Sequence, residues 1–350
     1  MKKKIINLSL LLASVLITFL LLELAARLYK KEFTFRNYPE EKRSLFLSAW
    51  PSQYDPLLGW IPKPGASGRK NIWRTIINIG DNGIRSNGPT SATTRHLSGA
   101  AILAVGDSYT FGDVVSDNET WPAILERLTE RPVINGGVFG YGVDQSFLRA
   151  RESIKIYKPE TLILGFIPAD VARCELSERT GVSKPYFDIK DGRLVLENVP
   201  VPPPNLPVVM DLFHRVFGYS FLVDRIMMKK FPSYWLQGGW HAARAHSKGE
   251  EVTGLLFRQL SDFTKKGGVK NIYLLVQYGR TRTAEDLAMV DTLASNIDHA
   301  TVKVIDLAWP LSEIEAKDKK KYKDFFRKHH MTYAGNYFVA DYIKETIEGG

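Results

Sequence analysis

From Ala100 onward the chain repeats one pattern, a short continuous apolar run followed by a stretch with helical spacing. The runs are Ala100–Val105, Pro132–Asn135, Thr161–Phe166, Asn271–Gln277 and Thr301–Leu307. After the first, Trp121, Ile124, Leu125 and Leu128 recur at the spacing that lines one helix face. Further helices are expected near 143–157, 250–266 and 283–296, with a last one after His330. Strands that alternate with helices build parallel sheets covered on both faces. The pattern therefore predicts an α/β, three-layer sandwich around a central parallel sheet of about five strands. Residues 175–249 break the rhythm with the proline-rich "ENVPVPPPNLP" and the aromatic "FPSYWLQGGWH". This insertion is expected to be a lid or substrate-binding elaboration over the carboxyl ends of the strands, or else an inert surface excursion.

The first run ends in "AVGDSYTFGD", Ala104–Asp113. Ligands of open parallel sheets bind beyond the carboxyl ends of the strands, which is where Ser108 falls. The bland alternative is that Ser108 or Asp107 only caps the helix that follows. The second run leads into "NGGVFGYG", Asn135–Gly142. This loop is not G-x-G-x-x-G, and the chain holds no G-x-x-x-x-G-K-[ST], so neither dinucleotide nor nucleotide binding is expected. Such a loop can instead turn backbone N–H groups toward a developing oxyanion. Ser108 is not in a G-x-S-x-G elbow, because Thr110 stands where the second glycine belongs. A nucleophilic serine needs a base. Of seven histidines, His330 in "HHMTYAGNYFVADYI" directly precedes the last helix, near the same sheet edge. Its alternative is a helix-end histidine without chemistry.

The amino terminus carries a separate signal. Lys2, Lys3 and Lys4 precede Ile5–Leu22, a run with no charged residue. Eighteen residues at about 1.5 Å rise make about 27 Å, close to the ~30 Å hydrocarbon core. A signal peptide needs small residues at −3 and −1 of its cut. Ala25 or Ala26 supplies −1, but Glu23 or Leu24 would occupy −3. An uncleaved transmembrane helix is therefore expected over residues 1–30. Arg27, Lys30 and Lys31 balance the three leading lysines, and the α-amino group tips the count toward an inside amino terminus. Single-pass insertion in the inner (cytoplasmic) membrane would put the bulk of the chain in the periplasm or extracytoplasmic space. Residues 31–98 read as a connector with a small β element around Ile72–Ile79 and a loop over 89–98. The main domain is 99–350.

Lys plus Arg outnumber Asp plus Glu by 47 to 38, a net charge of +9. The excess is spread along the chain apart from Lys2–Lys4 and Lys317–Lys323, and no nucleic-acid signature accompanies it. Nucleic acid is not an expected partner; an acidic polysaccharide or an anionic membrane would suit such a surface. The single cysteine, Cys174, excludes an intramolecular disulfide and a thiolate zinc cluster. Beside Arg173 it reads as a small buried filler rather than a nucleophile. No metal or cofactor is expected.

Together these residues resemble the SGNH (GDSL-type) hydrolase family, over roughly residues 100–170 and 320–345. "GDSYTFG" resembles the serine block, "NGGVFGYG" the glycine block and "HMTYAGN" the histidine block, in the family's order. The resemblance implies a flavodoxin-like fold, Ser108 as nucleophile and oxyanion donor, Gly140 as second donor and His330 as base. The anchor, "DPLLGW", "NIGDNGIRS" and the insertion resemble the membrane-anchored bacterial branch. That branch implies an esterase or O-acyltransferase acting on O-acyl groups, acetyl above all, of exported polysaccharide. Two positions depart from the family pattern. Ala169 replaces the asparagine that donates to the oxyanion, with Arg173 as a candidate substitute. Arg327 replaces the acid three residues before the histidine, leaving Asp324 as a candidate orienter or the site as a Ser–His dyad. These departures also leave open a weakened relative that binds or scaffolds polysaccharide in an assembly complex.

Overall fold

A computed structural model describes residues 2–39, 52–68, 75–89, 101–179, 182–203, 211–235, 243–327 and 329–349. Residues 40–51 of the expected connector, 71–74 of the expected strand, 90–98 of the loop and 236–241 of the aromatic run lie outside these. The chain falls into two compact units, one of residues 1–48, 179–182 and 204–242, the other of 49–178, 183–203 and 243–350.

The first unit is built on helix α1, Lys2–Lys30. Over Ile6–Lys30 its mean hydropathy reaches 2.4, making it long and apolar enough to cross a membrane. It is apolar on every side, the pattern of a helix that faces no water on any flank. Three short helices, Leu212–Phe217, Phe221–Lys230 and Pro232–Trp235, also belong to this unit among the described residues.

The second unit holds a five-stranded, wholly parallel sheet of β1 (Ile102–Val105), β2 (Val133–Asn135), β3 (Thr161–Phe166), β4 (Asn271–Val276) and β5 (Val302–Asp306). Its spatial order is β2-β1-β3-β4-β5, with Ile102 opposite both Val133 and Thr161. This is the flavodoxin-like 2-1-3-4-5 order, whose switch point lies between β1 and β3. Every residue of β1 and β3 is buried, as expected of strands covered on both faces. Flanking helices include α2 (Trp121–Thr129), α3 (Val143–Tyr157), α4 (Gly249–Arg258), α5 (Ala284–Ser295) and α6 (Tyr333–Glu348). Thr120 starts α2 by accepting from the Ala123 amide, and Trp121, Ile124 and Leu125 are buried on its inner face. Asn336 of α6 locks onto that start, its Oδ1 accepting from the Trp121 amide at 2.9 Å. The same side chain donates to the Met331 carbonyl, which ties the histidine block to the helix after the serine block.

Two expectations change. Residues expected to form a connector belong largely to the sheet unit. The hairpin Ser52–Asp55/Gly59–Pro62 sends the Trp60 indole N–H to the Phe139 carbonyl, while the Tyr141 hydroxyl donates to the Trp60 carbonyl. Within the described part of the strand expected near 72–79, Ile77–Asn78 pairs with Ser67–Gly68 and Ile79 bridges Arg85. The insertion is likewise not one piece. Its hairpin Tyr186–Lys190/Arg193–Glu197 belongs to the sheet unit, whereas its helices at 212–230 belong to the α1 unit. Glu23 of α1 fastens these helices, accepting from the Phe221 and Leu222 amides, both at 2.8 Å.

Candidate active site

Ser108 opens a single helical turn, Ser108–Phe111, directly beyond β1. Asp107 is its N-cap, one carboxylate oxygen accepting from the Tyr109 amide at 2.8 Å. The capping reading was therefore right for Asp107 and leaves the Ser108 hydroxyl to other partners. That hydroxyl meets His330 Nε2 at 2.8 Å and lies 3.3 Å from the second oxygen of Asp107. Ser108 and His330 are 222 residues apart in sequence, and the fold brings them into contact at the sheet's switch point.

The serine turn is heavily braced. Arg85, buried and from the "NIGDNGIRS" segment, donates to the carbonyls of Phe111, Gly112 and Val115, and its Nε meets Asp117 at 3.1 Å. The glycine block packs directly on the turn. A Cβ on Gly137 would stand 2.4 Å from the Phe111 nitrogen, so only glycine admits this approach. Gly140 has φ 78°, in the left-handed region. Its N–H makes no hydrogen bond among the described residues, and the Ser108 N–H is one of those a helix start leaves unpaired.

Arg173 follows β3 and reaches the same place. Its Nη1 donates to Asp170, to the Tyr141 carbonyl at 2.9 Å and to Asp107 at 3.3 Å. Arg173 is thus coupled to Ser108 through a shared carboxylate, and this nitrogen is already committed to three acceptors. Ala169 is exposed at the start of the same short helix, Pro168–Arg173, and offers no donor.

His330 is held differently. It stands in a two-residue ladder, Phe326–Arg327 against His330–Met331, with Arg327 directly opposite the histidine. The Tyr109 hydroxyl donates to the His329 carbonyl, and the Tyr109 and His330 rings pack at 5.3 Å. Burial, and after it the positive charge of Arg173, hold the imidazole below its usual pKa, while Asp107 pulls the other way. The net lowering leaves His330 neutral at pH 7, the state in which Nε2 accepts from the serine hydroxyl.

Asp324 does not reach the histidine. It is exposed, and its contact with this region is its backbone carbonyl, which accepts from the Thr332 hydroxyl at 2.7 Å. The carboxylate close to His330 is Asp113, whose Oδ2 lies 3.7 Å from Nε2. Sequence reasoning passed over this residue although it ends the serine block. Gly112, at φ 84°, reverses the chain and returns Asp113 toward the site. Burial, with Asp107 adding repulsion, pushes the Asp113 carboxyl well above the usual carboxylate range. Its Oδ1 is buried without a hydrogen-bond partner among the described residues. Cys174 is buried, as expected of a filler, and burial raises its thiol pKa. Among the described residues no group of three or more potential metal ligands occurs.

No protein-family model and no curated protein matches the chain. Solved structures similar to it include a lipase/acylhydrolase from Enterococcus faecalis, at 14% identity over 72% of this chain and 96% of that one, TM-score 0.41. A catalytic mutant of an acetylxylan esterase from Geobacillus stearothermophilus shows 14% identity over 72% and 96%, TM-score 0.42. A G-D-S-L family protein from Desulfitobacterium hafniense shows 12% identity over 71% and 99%, TM-score 0.37. With a 2-1-3-4-5 parallel sheet, Ser108 after β1, the glycine-rich loop after β2 and His330 before the last helix, this chain has a flavodoxin-like α/β fold with the block order that its resemblance to the SGNH (GDSL-type) hydrolases implies.

Proposed function

We propose that the protein is a membrane-anchored serine esterase or O-acyltransferase acting on O-acyl groups of an extracytoplasmic polysaccharide. The observation that carries this reading is the 2.8 Å contact between Ser108 Oγ and His330 Nε2 beyond the carboxyl end of the sheet. His330 removes the hydroxyl proton as Ser108 attacks the ester carbonyl. The amides of Ser108 and Gly140 are the donors for the oxyanion, and Arg173 acts through Asp107 as a positioning residue. Collapse releases the sugar hydroxyl, which takes the proton back from His330, and leaves an acyl-serine. Water or a second sugar hydroxyl then attacks that ester, so hydrolysis and transfer differ only in the acceptor.

The glycan part of the reading is supported by a cleft of about 280 Å³ in the sheet unit, lined by Arg280, Arg282, Lys319 and Lys323 with Tyr322 and Glu315. Tyr322 and Arg282 are pinned, the tyrosine donating to the Arg280 carbonyl at 2.6 Å and accepting from the Arg282 guanidinium. Four cations against one acid suit a carboxylated glycan. The anchor is α1, with the sheet unit outside the cytoplasm. Alkaline phosphatase fused after Gly350 should then be active; an inactive fusion with a bright fluorescent one would reverse the topology.

The test of the reaction is fluorophosphonate labelling of the full chain, read by mass spectrometry. Wild type should be labelled at Ser108, and Ser108→Ala should not be labelled or cleave esters. Equal labelling of both would place the reactive group elsewhere. One observation favours a second reading, a site that binds glycan without turning it over: Arg327, not an acid, faces His330 across the hairpin. Glycan binding with no labelling of wild type would establish it.

A further inference from the structure

The α1 unit exposes more apolar surface than a water-facing element needs. In the helix Leu212–Phe217, Leu212 is 77% and Val216 58% exposed; beyond it, Ile226 is 51% and Phe231 59% exposed. Large apolar side chains left this exposed along one short segment mark contacts with a partner or a membrane. The same segment carries exposed cations, Arg215, Arg225, Lys229 and Lys230. Just past α1, Phe33 and Phe35 are 69% and 82% exposed, and Phe35 stacks on Tyr219 at 4.9 Å.

What fixes the depth of this surface is Glu23. It is the first charged residue after the apolar run Ile5–Leu22, so it stands where α1 leaves the hydrocarbon. Its carboxylate accepts from the Phe221 and Leu222 amides and from the Ser220 hydroxyl, supplying the acceptors that the first turn of the helix Phe221–Lys230 lacks. Arg27, one turn further along α1, bonds Glu23 and donates to the Tyr219 carbonyl at 2.7 Å. The Tyr38 amide and Asn37 side chain bond the Gly218 and His214 carbonyls. The segment 211–235 is therefore fastened to the boundary residues of α1 and cannot sit far from the bilayer that α1 spans.

We infer that residues 211–235 form an interfacial collar, its apolar side chains lying among the lipid headgroups and upper acyl chains of the leaflet at the carboxyl end of α1. The inference rests on the reading of α1 as a retained anchor. Mixed apolar and basic composition is what an in-plane amphipathic segment presents to anionic lipid. The collar would hold the α1 unit to the membrane at a second site beside α1 itself.

The test uses the full chain in nanodiscs containing anionic lipid. Cys174 is buried and the chain's sole cysteine, which leaves introduced cysteines as the reactive sites. Val216→Cys, Ile226→Cys and Phe231→Cys, labelled with an environment-sensitive fluorophore, should emit to the blue and be quenched by doxyl-labelled lipid. Ser295→Cys, on exposed α5, should show neither effect. Aqueous, unquenched emission at all three positions in a chain that stays in the disc would overturn the collar while leaving the anchor standing. Blue emission without lipid quenching, with crosslinking between chains, would assign the face to a second copy instead. A chain that does not enter discs at all would overturn the anchor, and the collar with it.

Discussion

The two halves of the Ser–His pair are built to different standards. The serine turn is over-determined: from a fully buried position Arg85 bonds the Phe111 carbonyl and those of Gly112 and Val115 just beyond it, Asp107 caps it, and Gly137 presses against it closely enough to exclude any side chain. The histidine sits in a two-residue ladder whose partner is an arginine, and a quarter of its side chain is open to solvent. The contrast teaches where the site keeps its precision. A nucleophile must be presented at one angle, and its turn is fixed by backbone bonds that tolerate little movement. The imidazole reaches it from a short, partly exposed ladder, and among the described residues no carboxylate hydrogen-bonds Nδ1, where a triad would orient the ring.

The comparison breaks most sharply at His330. His330→Ala is expected to cut the rate of fluorophosphonate labelling by about 10³-fold or more, since nucleophile and base act as a unit. The melting temperature should stay close to wild type, because the ladder is short and partly exposed. A large loss of stability with labelling retained would show that the histidine is structural.

Arg85→Ala should do the opposite. Removing a buried guanidinium takes the countercharge from Asp117, which keeps its hydrogen bonds from Asn78, and a donor from three carbonyls, a change worth about 3–5 kcal/mol. Urea unfolding of the full chain in detergent reads it directly. An unchanged midpoint would mean that the serine turn holds itself.

How much of this could be read from the chain follows the same divide. The serine and glycine blocks are contiguous, and a strand that ends in glycine, an acid and serine announces its geometry locally. His330 was legible because it precedes a well-marked helix. The Arg85–Asp117 brace was not, since nothing in the spacing of either residue specifies a partner 32 positions away. Asp113 was hidden by a backbone reversal at Gly112. The split of the insertion was hidden for a related reason: an amphipathic segment advertises that it needs a partner, but not that the partner is Glu23, nearly 200 residues earlier.

Arg327→Asp sharpens the comparison from the other side. It gives the histidine hairpin the acid that the family pattern carries three residues before the base. A carboxylate there favours the imidazolium. The His330 pKa, now held down by burial and Arg173, should rise, and the acid limb of the labelling rate against pH should move to higher pH. The plateau should rise about tenfold if the missing acid limits the reaction. An unmoved limb in a folded variant would mean that the introduced carboxylate does not reach the ring.

The smallest effect belongs to Asp113→Asn, and its sign separates the two sides of the site. The folded-state pKa of Asp113 is raised by burial and by Asp107, against the pull of Arg85 and Arg173. At pH 4 the unfolded and folded chains both hold much of this proton, so the group costs little. As pH climbs, the unfolded chain ionises first, and the native state loses stability until the folded group ionises as well. Asparagine never ionises and occupies nearly the same volume. The variant should therefore match wild type near pH 4 and exceed it by a margin that grows as pH rises past the ordinary carboxylate range, until the folded Asp113 ionises too, measured as urea midpoints. Labelling should change far less than in His330→Ala, because a carboxyl that keeps its proton lends His330 little charge. A variant that is instead less stable at pH 8 than wild type would mean that the Asp113 carboxylate is ionised in place, held by Arg85 and the imidazolium. The histidine hairpin would then have its acid after all, supplied by the serine turn.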